Sequence, residues 1–104
     1  MQKEIKKQME RELRQYYTNK KLLNKIKNDM KQPTRKLLYL EERITYIDNV
    51  LIKLNDFERS VFDLIYKDGA DWLYCQTRKN ISKSTYYNII NKCIKLLAEE
   101  WGII

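Results

Sequence analysis

Lys83, Ser84, Tyr87, Asn88, Asn91 and Lys95 share one side of the stretch Asn80–Leu97 when it is wound at about 3.6 residues per turn. Their chemistry is hydrogen bonding rather than bond breaking. Short hydroxyl and amide groups can reach base edges in a DNA major groove, asparagine most naturally at adenine, while lysines approach phosphates. The other side of the same stretch carries Tyr86, Ile90, Cys93 and Leu97, widened by Ile89 and Ile94, which is the apolar face of an amphipathic helix. Ser82 is the expected N-cap, its hydroxyl accepting from the backbone N–H of Ser84 or Thr85, so the helix begins at Lys83.

A reading helix needs a partner to set its angle. Asp71 can cap a preceding helix of about eight residues opened by Trp72 and Leu73. Asp71 to Leu97 therefore has the layout of a helix-turn-helix, with Arg78-Lys79-Asn80 in the turn and Arg78 among the DNA-contacting residues. Upstream, Asn55-Asp56 marks a boundary with Asp56 as expected N-cap, and Phe57, Val61, Leu64 and Ile65 form a short stripe that ends at Lys67-Asp68-Gly69. Trp72 is expected in the core against the Phe57 helix.

Residues 3–31 contain no helix breaker, and Met9, Tyr16, Leu23 and Met30 recur every seven residues beside Ile5, Leu13 and Ile26. One long helix is expected, with a weak point at Thr18-Asn19. Tyr16 and Tyr17 read as packing residues, although nucleic-acid contact by this aromatic and basic stretch is conceivable. Gln32-Pro33-Thr34 interrupts the pattern and places a turn near Lys31 to Pro33. Leu37, Leu40, Ile44, Ile47, Leu51 and Leu54 then alternate spacings of three and four, a seam that can close an antiparallel hairpin or pair with a second copy of the chain. The last helix ends near Gly102, with Trp101 and the terminal isoleucines folding back. The fold class is all-α, with a helical hairpin over 1–54 and a helix-turn-helix unit over 55–104.

The 104 residues suffice for one modest core and contain only two glycines and one proline. Residues 1–36 hold 12 Lys/Arg against 4 Asp/Glu, residues 37–77 hold 4 against 8, and residues 78–104 hold 5 against 2. Basic ends around an acidic middle suit a polyanion partner. Histidine is absent, which removes the commonest general base and transition-metal ligand. No phosphate-binding glycine loop is present, and Glu41-Glu42, Asp56-Glu58 and Glu99-Glu100 sit where caps and solvated faces explain them. The expectation is a protein without catalysis, cofactor or metal. Cys75 and Cys93 read as small core residues in a reducing compartment. The N-terminus lacks the apolar segment of a signal peptide and no membrane-length apolar run occurs, so the expected location is cytoplasmic, with no membrane partner.

Leu54-Asn-Asp-Phe-Glu-Arg-Ser-Val-Phe-Asp-Leu-Ile-Tyr66, Asp68-Gly-Ala-Asp-Trp72 and Asn80-Ile-Ser-Lys-Ser-Thr-Tyr-Tyr-Asn88 together resemble the sigma-70 region 4 helix-turn-helix. With Arg11-Glu-Leu-Arg-Gln-Tyr-Tyr-Thr-Asn-Lys-Lys21 and Leu97-Ala-Glu-Glu-Trp-Gly102, nearly the whole chain is similar to the small phage late-gene transcriptional activators of the RinA and ArpU type. The resemblance implies a sequence-specific activator at a phage late promoter in the host bacterial cytoplasm, binding double-stranded DNA and recruiting host RNA polymerase. On the matching positions it assigns Lys83, Ser84, Thr85, Tyr87 and Asn88 to the bases and Asn91, Lys92 and Lys95 to the backbone. The chain departs from the pattern at Cys75, Gln76 and Lys79, where the family places small and apolar residues. Two other classes fit the same features: a module that binds polymerase or a regulatory protein, or a second copy of itself, through the hairpin without reading DNA, and a terminase small subunit.

Overall fold

The computed structural model describes residues 2–29 and 35–103, and the chain is all-α. Among the described residues there are five helices and no strand: α1 Lys3–Asp29, α2 Arg35–Ile52, α3 Asp56–Tyr66, α4 Trp72–Lys79 and α5 Lys83–Glu100. The expected turn at Lys31 to Pro33, Met30 of the heptad pattern and Ile104 lie outside the described residues. None of the described helices is long and apolar enough to cross a membrane.

α1 runs without a break through Thr18 and Asn19, because no residue between 3 and 29 removes a backbone donor or adds glycine's freedom. Met9, Leu13, Tyr16 and Leu23 form its buried stripe. Lys27 pairs with Glu41 at 3.6 Å and the Tyr16 hydroxyl donates to Asp48, so α1 and α2 run in opposite directions. On α2 the seam turns inward at Leu37, Leu40, Ile44 and Ile47 as expected, but it continues through Val50, with Leu51 only partly covered. A helix of 3.6 residues per turn drifts away from a 3.5 repeat, and over this length the drift exchanges one neighbour for the next.

The cap of α3 corrects the sequence reading by one residue. Asn55, not Asp56, is the N-cap: its Oδ1 accepts from the Glu58 N–H at 2.8 Å, and Glu58 Oε1 accepts from the Asn55 N–H at 3.0 Å. This reciprocal pair satisfies two helix-end donors that a cap at Asp56 would leave open. Asp56 instead stands in solvent beside Arg59. Of the expected stripe, Phe57 in the first turn is 44% exposed, while Phe62, outside that stripe, is fully buried. Gly69, at φ +70°, takes the left-handed turn beyond α3.

The core is one continuous cluster to which all five helices contribute. Met9 and Leu13 of α1, Ile47 and Val50 of α2, Val61 and Phe62 of α3, Cys75 of α4 and Cys93 and Leu97 of α5 are each no more than 1% exposed. Phe62 packs edge-on or tilted against Tyr16, Tyr17 and Tyr66, which joins α1 to α3 through rings. Trp72 is half-buried, and the ring it meets is Tyr86 of α5, at 6.3 Å between centroids. The far end of α5 is held by α2: Glu100 accepts from Asn49 and from Lys53, each at 3.2 Å, while Trp101 lies under the Arg43 guanidinium and edge-on to Tyr46.

Candidate nucleic-acid interface

α4 and α5 are joined by three residues, and each does a separate job. Asn80 closes α4 in the left-handed conformation, φ 52° and ψ 47°, with its N–H donating to Gln76 O at 2.8 Å. Asparagine is one of the few residues with a side chain that enters that region at low cost. Ile81 turns into the core at 7% exposure, fastening the link from below. Ser82 caps α5: its Oγ accepts from the Thr85 N–H at 3.1 Å and donates to Thr85 Oγ1 at 3.0 Å. At the other end of α4, Asp71 Oδ1 accepts from the Tyr74 N–H at 2.9 Å. Both caps sit on the residues the sequence pointed to.

On α5 the buried residues are Tyr86, Ile89, Cys93, Ile94, Leu97 and Ala98, while Ile90 is only half-covered. Directly opposite, Ser84, Asn88, Asn91 and Lys95 stand exposed at successive intervals of four, three and four, so they align as one stripe. None of these four side chains has a hydrogen-bond or ion-pair partner among the described residues. Lys83 and Tyr87 flank the stripe on one edge, both exposed. Tyr87 is oriented from behind: its ring stands edge-on to Tyr86 at 5.0 Å, and Tyr86 in turn packs on Trp72. The hydroxyls and amides of this face remain available to an external partner.

Three residues assigned to DNA contact have other engagements. Thr85 is half-buried and its hydroxyl is taken up by the Ser82 cap. Lys92 lies on the opposite edge of the stripe, its Nζ 3.0 and 2.9 Å from the two carboxylate oxygens of Glu58, and so bridges α5 to α3. Arg78 is exposed at the end of α4 but lies over the Tyr74 ring, and it shares a shallow cleft with Asp63, Asp68 and Lys79. The Lys92–Glu58 bridge has no signature at the level of sequence, since the partners stand 34 positions apart. Asn55 is the first cause that draws the Glu58 carboxyl below its ordinary value, with Lys92 adding to it, so this carboxylate is charged through the neutral range.

The two tyrosines of α1 are packing residues. Tyr16 is 2% exposed and Tyr17 is half-buried, and their hydroxyls donate to Asp48 of α2 and Asp63 of α3 respectively. Burial, followed by these carboxylates, raises both hydroxyls well above the ordinary tyrosine value. Burial also pushes the Cys93 thiol up to about 12, leaving it protonated and unreactive while the core is closed. Cys75 and Cys93 are both free and buried. Among the described residues no group of three or more acidic, cysteine or histidine side chains is arranged to hold a metal ion.

A scan against protein-family models finds no match to the chain, and searches of curated proteins and of solved structures find none either.

Proposed function

We propose that this protein is a sequence-specific double-stranded-DNA-binding regulator that lays the outer face of α5 in a major groove. The single observation that carries the reading is the aligned, unpartnered stripe of Ser84, Asn88 and Asn91 on a helix whose other face is locked into the core. A helix with its side chains is about 10–12 Å across, and the major groove is about 12 Å wide, so such a face can approach base edges without deforming either partner. The short α4, the three-residue link and α5 support a helix-turn-helix docked on α3, with α1 and α2 as a supporting hairpin. In this arrangement Asn88 and Ser84 read bases, Tyr87 offers an apolar edge to a thymine methyl, and Lys83 and Lys95 meet flanking phosphates. Following the resemblance to phage late-gene activators, the biological role is activation at a late promoter through host RNA polymerase. A polymerase contact finds support in α2, where Leu38, Tyr39 and Ile52 are 61%, 49% and 74% exposed.

Selection of bound duplexes from a random pool tests the reading. The native chain is expected to enrich one short consensus. Asn88→Ala is expected to lose preference at a single position by about 1–3 kcal/mol while keeping its helical content, since the side chain touches nothing in the core. Failure to enrich any consensus with a folded protein would refute the proposal.

A further inference from the structure

α1 carries a second feature, on the side facing away from the core. Lys3, Lys7, Arg11, Arg14, Lys21 and Lys25 are all exposed, and at a helical pitch they fall on one line directly opposite Met9, Leu13, Tyr16 and Leu23. The line is about 33 Å long at 1.5 Å per residue, and Thr18 is its one neutral place. Of the six cations only Arg14 has an ion-pair partner among the described residues, Glu10 at 3.1 Å.

Such a ridge works against its own helix. Lys3 with Lys7, Lys7 with Arg11, Arg11 with Arg14, and Lys21 with Lys25 are like charges three or four residues apart, a spacing at which they repel. Lys3 and Lys7 also stand at the positive end of the helix dipole. A surface arranged for solubility alternates signs. Here Glu10, which stands beside the line, pairs with Arg14, and Asp29 lies beyond its Lys25 end, while Glu12 is turned toward Arg43 of α2. An external polyanion relieves all of these repulsions together.

We infer that the outer ridge of α1 is a second DNA-binding surface, one that grips the phosphates of a duplex without reading its sequence. The inference rests on the reading that duplex DNA is the ligand of α5. The spacing suits that partner. Thr18 divides the ridge into Lys3–Arg14 and Lys21–Lys25, and Arg14 and Lys21 are about 10.5 Å apart along the helix. This is close to the width of the major groove, about 12 Å, so a helix laid across the groove meets phosphates on both banks. An acidic membrane fits less well, because the apolar residues that would enter lipid are in the core.

The test compares the native chain with a variant carrying Lys7→Gln, Arg11→Gln, Lys21→Gln and Lys25→Gln. Each is titrated with a selected duplex and with a random duplex over a range of potassium chloride. Glutamine has nearly the helix propensity of lysine and arginine, and relief of repulsion keeps the variant's Tm at or above the native value. The slope of log affinity against log salt is expected to become shallower by about 3 to 4 on both duplexes, at about 0.9 per phosphate contact, with preference between duplexes unchanged. A companion variant carrying Lys7→Arg, Lys21→Arg and Lys25→Arg is expected to keep the native slope. An unchanged slope in the glutamine variant overturns the inference, as does binding to anionic vesicles that the variant loses while its duplex slope stays native. If the native chain fails to discriminate between duplexes yet the variant's slope still falls, the proposed function is refuted and the ridge stands.

Discussion

Lys92 holds its ammonium 2.9 Å from a Glu58 oxygen while remaining 44% exposed, so one side chain has two possible partners, a carboxylate within the fold and a phosphate outside it. The internal partner is already in place and is itself fixed by the Asn55 N–H, which gives the pair better geometry than two free surface chains achieve. Lys92→Ala is therefore expected to lower stability by about 0.5–1 kcal/mol and to leave discrimination between duplexes untouched. Asn88→Ala, on the open stripe, has the reverse pattern. Denaturant melts of both proteins beside competition binding check the contrast. A Lys92→Ala protein of native stability that has lost its site preference would assign Lys92 to the DNA.

Among the elements, α3 shows most clearly how one polar residue governs the placement of a helix. The Asn55–Glu58 box starts α3, and the same Glu58 carboxylate reaches across to α5. Because the folded state draws that carboxyl below the ordinary value of 4.5, the stabilisation it brings is complete above 4.5 and is lost as pH falls through the lower folded value. Glu58→Gln is expected to flatten this acid limb of the stability curve relative to the native chain, measured as Tm against pH from 7 to 3. An unaltered acid limb would mean that the charge on Glu58 contributes nothing to stability, since glutamine can still close the box.

The same helix marks what could be read from the residues alone. The helix pattern, the Ser82 and Asp71 caps and the exposed Ser84–Asn88–Asn91 stripe were legible, because each depends on neighbours within one or two turns. Less was visible where two local solutions compete. Asn55 and Asp56 are equally good caps in isolation, and what separates them is Glu58, three residues after Asn55, whose carboxylate closes the box. Trp72 was expected in the core against α3; it packs against the core, and its ring also meets Tyr86 at a tilt, a contact that only the angle between α4 and α5 decides. The engagement of Lys92 within the fold was hidden for the same reason, since a candidate surface residue looks alike whether or not a distant carboxylate happens to face it. The cationic ridge of α1 was present in the spacing, but it emerges as a line only once the helix is known to run unbroken past Thr18-Asn19.

At the scale of the whole molecule the continuous core matters most. Leu13 of α1 is completely buried in a cluster that also holds Phe62 of α3 and Leu97 of α5. Leu13→Ala is expected to cost about 2–5 kcal/mol. It should shift a single unfolding transition rather than split it in two, because the core is one continuous cluster to which α1 contributes. Coincident far-ultraviolet circular dichroism and tryptophan fluorescence melts check this, and two resolved transitions would show that residues 55–103 hold together independently. Cys93 offers a second probe of the same event. Its buried thiol is expected to react with an alkylating reagent only at the rate of global opening.

The Glu100 attachment to Asn49 and Lys53 lies about 24 Å along α5 from Ser84. Ile81 and Tyr86 hold the front of the helix in the core, so α5 is a beam seated at both ends, and a change at either seat tilts its outer face as one piece. On the proposed function, two side chains on α2 that no nucleotide touches would then bear on the choice of target.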